Sequence, residues 1–130
     1  MGRYYSGDIE GKFLFGIQDS DAADRFGVEG EYPGYLEYNF ETDDLPYLEK
    51  ELQEIEKTLG ENLAILEKFF EINNGYNDKM IIEYYKTEHN KKMTSSKIRE
   101  LLSEYADYLL GVEIRDCIKD QGYCGFTAEL

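Results

Sequence analysis

Cys117, Cys124 and a single histidine, His89, are the side chains of this chain best suited to nucleophilic or metal chemistry, and their spacing supports neither. Zinc fingers and ribbons need ligand pairs about two to four residues apart, whereas these cysteines lie seven positions apart and His89 is distant in the chain. A Cys-His or Ser-His nucleophile would depend on His89, which sits among lysines in an expected surface loop. Asp19, Asp21 and Asp24 offer oxygen ligands, but the glycine and the terminal bidentate glutamate of a calcium loop are missing. Gly27, Gly30 and Gly34 do not lead into a helix as a phosphate loop requires, and the acidic chain around them repels phosphate. Carboxylates are so numerous that no pair stands out as an acid and base. The expectation is a protein with no metal, cofactor or catalytic residue, acting by binding and not as an enzyme.

The elements that would position a binding surface follow from periodicity. Lys12 to Gln18 alternates, with Phe13, Phe15 and Ile17 on one face, which predicts a strand with one buried side. Ser20 to Gly27 reads as one helical turn, with Ser20 as cap and Gly27 as stop. Tyr35 to Phe40 predicts a second strand with Leu36, Tyr38 and Phe40 inward, and Tyr123 to Leu130 a third with Cys124, Phe126 and Ala128 inward. Between them the spacing is helical. Leu45, Leu48, Leu52, Ile55 and Leu59 form one stripe, started near Asp43 or Asp44 with Pro46 in the first turn and stopped by Gly60. A second helix is expected from Glu61 to Asn73 with Leu63, Leu66, Phe69, Phe70 and Ile72. A third begins at Asn77 and carries Met80, Ile81, Tyr84 and Tyr85. The longest starts at Thr94 to Ser96, bears Ile98, Leu101, Leu102, Tyr105, Leu109 and Val112, and has Gly111 as a weak point. The fold class is therefore α+β: one compact domain over residues 1–130, in which N-terminal strands and a C-terminal strand share a small antiparallel sheet packed with about four helices.

Charge narrows the partners. Against 14 Lys and Arg stand 28 Asp and Glu, a formal net charge of −14. A chain with 42% hydrophobic and 15% aromatic residues is not a disordered acidic tail, so the charge belongs to a folded surface. That surface repels nucleic acid and anionic membrane and is attracted to basic proteins. Residues 1–60 hold 5 basic and 15 acidic side chains, and residues 61–130 hold 9 and 13. The densest block runs from Asp19 to Asp44, and its Asp19, Asp21, Asp24, Glu29, Glu31, Glu37, Asp43 and Asp44 are the expected partner-binding residues. On the first long helix, Glu49, Glu51, Glu54 and Glu56 are expected to face solvent. Such a surface is either a solvated coat or a docking face in which carboxylates stand in for the phosphates of a duplex.

One stretch opposes the trend. From Lys86 to Arg99 five basic residues face only Glu88, between two helical segments in the order of a helix-turn-helix, residues 77 to 102. The alternative function is nucleic-acid binding through Lys91, Lys92, Lys97 and Arg99. Two features oppose it: an expected connection from Lys86 to Met93 twice the usual length, and the net charge. A small-molecule or nucleotide site between sheet and helices is a third reading. The 12 tyrosines exceed the needs of so small a core, which suits a protein interface or a homo-oligomer. No apolar run is long enough for a transmembrane helix, and the first residues hold no secretory h-region. With two cysteines kept reduced, the expected location is cytoplasmic. Gly2 with Ser6 matches a myristoylation pattern that is short and common.

The opening Gly2-Arg3-Tyr4-Tyr5-Ser6-Gly7-Asp8-Ile9-Glu10-Gly11-Lys12-Phe13, with Ser20-Asp21-Ala22-Ala23-Asp24-Arg25-Phe26-Gly27 and the closing Ile114-Arg115-Asp116-Cys117 and Gly122-Tyr123-Cys124, resembles small uncharacterised proteins encoded by phages and other viruses. The resemblance implies a viral or mobile-element origin, and by class analogy a counter-defence inhibitor that mimics nucleic acid. It carries no residue roles.

Overall fold

The computed structural model describes residues 4–16, 18–28, 30, 35–73 and 75–129. Four strands, β1 (Tyr4–Gly7), β2 (Gly11–Lys12), β3 (Tyr35–Glu41) and β4 (Tyr123–Glu129), form an antiparallel sheet in the order β2-β1-β4-β3. Four helices, α1 (Leu45–Leu59), α2 (Glu61–Ile72), α3 (Asp78–His89) and α4 (Ser95–Gln121), complete an α+β fold. The last strand thus lies between the first and third and shares one antiparallel sheet with the N-terminal strands, the sharing being what the sequence predicts.

The inner face of the sheet is built by pairs in register. Leu36 and Tyr5 both face Ala128, Tyr38 faces Phe126, and Phe40 faces Cys124. The Phe126 ring stacks on Tyr38 at 5.3 Å between centroids and meets Tyr5 edge-on at 5.7 Å. Each large side chain buried this way contributes about 1.5–3 kcal/mol by leaving water. The buried side chains of sheet and helices form one cluster, which runs on to Leu48, Leu52, Ile55 and Leu59 of α1 and to Ile98, Leu102 and Ile114 of α4.

Helix ends follow their capping chemistry. Asn77 and Thr94 accept the backbone N–H of Met80 and Lys97, opening α3 and α4. Before α1, a 3-10 turn at Thr42–Asp44 carries a capping box, in which Asp44 accepts the Glu41 N–H at 2.8 Å.

Several expectations are corrected. Lys12 to Gln18 is not one continuous strand: after the two residues of β2 the chain enters a 3-10 segment at Leu14–Gly16, with Phe15 in the left-handed region (φ 60°), and Ile17, expected on the inward face, lies outside the described residues. Phe13 still reaches the core, stacked on Tyr5 at 4.2 Å, so its burial comes through a turn and not a pleat. Ser20 does not cap the 3-10 turn Ala22–Phe26, because its hydroxyl donates to the Glu129 carbonyl at 2.8 Å. Gly27 does stop that turn, at φ 102°. Ile72 is exposed, and along α4 the buried set drifts to Ala106, Leu110, Gly111, Ile114 and Ile118, leaving Leu109 and Val112 half-buried. Glu51 is drawn from the solvent face of α1 into an ion pair. The connection between α3 and α4 is residues 90–94, shorter than the expected Lys86 to Met93, because α3 continues to His89.

Gly111 is no weak point but a point of closest approach. A Cβ there would lie 2.6 Å from the Phe26 ring and 2.7 Å from Leu52 Cδ2. Gly111→Val improves helix propensity by less than about 1 kcal/mol, whereas forcing extra carbons into a filled core costs about 1–3 kcal/mol. The variant is therefore expected to lower the urea midpoint of unfolding; a raised midpoint would contradict the packing.

Candidate functional site

The partner-binding residues expected in the Asp19–Asp44 block are divided among several roles. Glu29 and Glu31 lie outside the described residues. Asp24 is engaged internally: it accepts the Tyr38 hydroxyl at 2.5 Å and the Gly30 N–H at 3.1 Å. Burial, reinforced by that bond to Asp24, pushes the Tyr38 phenol far above its ordinary range, so it remains a donor. Asp44 caps the turn before α1. Asp19, Asp21 and Asp43 are exposed, and Glu37 stands on the outer face of the sheet with Asn39 and Glu41. That face also presents Tyr4, Ser6, Tyr123 and Glu129 to solvent.

Arg25, outnumbered in the acidic block, meets carboxylates that come from distant helices. It reaches Asp107 at 2.7 Å, Glu51 at 3.1 Å and Glu104 at 3.3 Å. Burial opposes its charge, but the hydrogen bonds to Asp107 and Glu104 outweigh that and hold the guanidinium more firmly protonated than usual. Asp107 also accepts Gln18 Nε2 at 3.2 Å, and Gln18 accepts the Tyr5 hydroxyl at 3.0 Å. Burial nonetheless raises the Asp107 carboxyl above its ordinary range, its hydrogen bonds to Arg25 and Gln18 acting the other way.

A second acidic surface lies elsewhere. The β1–β2 connection, Asp8-Ile9-Glu10, faces the C-terminal half of α4 across a cleft of about 720 Å³ lined by Asp8, Glu10, Glu113, Asp116, Cys117 and Asp120. Positions 113, 116, 117 and 120 recur at helical spacing, so they share one face of α4. Opposite them, buried Ile9 anchors the connection, and Asp8 is tied to β4: its N–H donates to the Gly125 carbonyl at 2.8 Å and its carboxylate accepts the Gly125 N–H at 2.9 Å. Gly7, at φ 116°, allows this approach, since a Cβ would sit 2.8 Å from the Gly125 oxygen. A smaller recess of about 190 Å³ continues the cleft past Glu10 and Glu113 to Lys12 and Gln18.

The electrostatics of the cleft favour cations. Among the described residues, Glu10, Glu113 and Asp120 have no ion pair, while Asp116 is held by the neighbouring Arg115 at 3.0 Å. Burial raises the Glu113 carboxyl. The carbonyl end of the 27-residue α4 adds partial negative charge at the same place. Among the described residues no cluster of His, Cys, Asp and Glu is arranged to hold a metal ion. The carboxylates are spread along a groove, which suits an extended organic cation.

The basic island is partly neutralised. Lys91 pairs with Glu61, Arg99 lies 3.7 Å from Asp78 and Lys97 lies 3.9 Å from Glu100, while Lys92 is exposed. A second groove of about 540 Å³ between α2 and α3 exposes Ile72 and Met80, with a rim that mixes Lys79 with Glu83 and Glu88. Among the described residues no helix is long and apolar enough to cross a membrane. Comparison with protein-family models, curated proteins and solved structures finds no match to this chain.

Sequence reasoning missed the cleft because its two walls are about a hundred residues apart. The available signal was the carboxylate spacing of residues 113, 116 and 120 on a helix whose buried stripe includes Ile114 and Ile118.

Removing the Arg25 charge tests the internal cluster. In Arg25→Met, Glu51, Glu104 and Asp107 face one another without a cation, and the Asp107 carboxyl, already raised by burial, loses the Arg25 hydrogen bond that acts the other way. A carboxyl raised on folding costs stability increasingly as pH rises through its unfolded value. The variant should lose about 1–3 kcal/mol at neutral pH, reduced from the fully buried case because these side chains are partly solvated. The deficit should shrink towards about pH 4, where the carboxyls take up protons. Urea titrations at both pH values check this; a deficit independent of pH would contradict it.

Proposed function

We propose that this protein is an acidic binding module for a basic partner, and that it works by docking and not by catalysis. The observation that carries the reading is the cleft between Asp8–Glu10 and α4, where Glu10, Glu113 and Asp120, without an ion pair among the described residues, converge beside Asp116 at the negative end of a long helix. Exposed Asp19, Asp21, Asp43 and Glu37 extend the attraction over the rest of the surface and steer a basic protein towards it. Tyr4 and Tyr123, both exposed on the adjoining sheet, offer apolar area with a polar tip beside those charges.

A partner whose own ligand is nucleic acid fits this chemistry, since its lysines and arginines are already placed to meet a row of anions. Such mimicry would suit an inhibitor of viral origin in a host cell, the setting that the opening residues suggest. Nucleic-acid binding through Lys91, Lys92, Lys97 and Arg99 is less well supported, because the acidic partners of Lys91, Lys97 and Arg99 compete with phosphate.

Fluorescence anisotropy with a labelled octa-arginine peptide tests the reading. Reversal at the cleft, Glu113→Lys with Asp116→Lys and Asp120→Lys, should weaken binding about 10-fold or more, with steep salt dependence. The charge-matched set Asp19→Lys, Asp21→Lys and Asp43→Lys should weaken it less. Equal losses from the two sets would mean that net charge alone is responsible, and the cleft would lose its assigned role.

A further inference from the structure

Helix α3 has two apolar sides. Ile81 and Tyr85 are buried in the core, while Met80 and Tyr84, one residue before each, line the groove shared with α2. Across that groove, buried Phe69 of α2 meets Tyr84 edge-on at 5.3 Å between ring centroids. Ile72 and Met80 are left in water, 60% and 39% exposed. Apolar side chains grouped in this way favour a partner that covers them.

The charges beside this strip select the partner. Lys79 and Glu83 lie one turn apart on α3, on the same flank of Met80. Both are exposed, and among the described residues neither has an ion pair. A uniformly basic partner would bring like charge to Lys79, and a uniformly acidic one to Glu83. A second copy of α3, laid antiparallel, matches both. A two-fold axis beside α3 at the level of Ile81, midway between them, sets Lys79 of each copy level with Glu83 of the other and brings the two Met80 side chains together. The helix dipoles then run in opposite directions, which is the favourable sense. α3 itself sets Lys79 and Lys86 against Asp78, Glu83 and Glu88, so two copies meet on a nearly balanced element and not on their acidic surfaces.

We propose that the α2–α3 groove is a self-association surface, on which a second copy of this chain docks α3 against α3, antiparallel about a two-fold axis. Ile72 and Met80 form the apolar centre, and reciprocal Lys79–Glu83 pairs fix the register. The dimer is weak, because two exposed apolar side chains per copy make a small contact and each copy carries a net charge of −14. Salt screens that long-range repulsion more than it screens the close pairs, so association tightens from low to moderate salt. Docking of a basic peptide in the acidic cleft has the opposite salt dependence, and the two readings stand or fall separately.

Sedimentation velocity of the native chain, from about 1 to about 500 µM at about 0.15 M salt, tests the proposal. A concentration-dependent dimer is the expected result. Lys79→Glu and Glu83→Lys should each weaken it about 10-fold or more, because each sets like charges across the axis. Mixed in equal amounts, the two variants regain both pairs and should dimerise with each other. The exchanged chain, Lys79→Glu with Glu83→Lys, should dimerise with itself. Lys79→Glu makes the chain more negative and Glu83→Lys makes it less so; general repulsion therefore predicts opposite effects and does not imitate a loss in both. Both positions are exposed, so the variants keep the fold, which circular dichroism checks. A native chain that stays monomeric throughout overturns the proposal. A dimer that survives both single reversals, or single variants that fail to associate when mixed, overturns it equally.

Discussion

The short 3-10 turn at Ala22–Phe26 holds the architecture together through two adjacent side chains that point to opposite kinds of partner. Arg25 gathers Glu51 from α1 with Glu104 and Asp107 from α4. Phe26, fully buried, fills the space that Gly111 leaves open against Leu52. The ion pairs are directional and partly solvated, so they set how the helices cross more than they add to stability. The aromatic contact is non-directional and dry, and it supplies the larger share of the free energy. Asp107 then passes the arrangement to the sheet through Gln18 and Tyr5. Without this turn, α1 and α4 would have neither the cation nor the ring that fixes their approach.

The same crossing distributes charge. α4 begins beside the basic island, near Lys97 and Arg99, and ends at Asp116 and Asp120. Two of its cations are drawn into pairs with other elements, Arg99 with Asp78 of α3 and Lys119 with Glu49 of α1, while Lys97 and Arg115 pair within the helix with Glu100 and Asp116. Among the described residues the cleft end therefore keeps Glu113 and Asp120 without an ion pair, although the second half of the chain has the milder charge balance. Counting charges along the sequence points to Asp19–Asp44, whereas folding brings residues 8–10 and 113–120 together around one acidic cleft.

The strands β3 and β4 and the helices α1 to α4 were legible because apolar residues recur along each at strand or helical spacing. Lys12 to Gln18 was not, because Phe13 and Phe15 imitate alternation while a left-handed residue and a 3-10 turn carry the chain inward. The drift of the buried stripe on α4 has a comparable cause: a 27-residue helix crosses first α3, then the Arg25 turn, and finally the sheet, so its inward face rotates along its length. Asp24 read as surface charge because nothing local reveals that Tyr38 will meet it, whereas the Asp44 bond to the Glu41 amide, three residues back, belongs to the local capping at the expected helix start. The cleft was invisible for the reason common to most sites, namely that its walls come from opposite ends of the chain.

The central claim is that cations are recognised at one place and not by diffuse attraction. Amide chemical-shift mapping of the isotope-labelled chain, titrated with an arginine-rich peptide at moderate salt, tests it most directly. Perturbations confined to residues 8–10 and 113–121 and the neighbouring sheet are the predicted result. Shifts spread evenly over the acidic surface, or centred on residues 19–44, would contradict it.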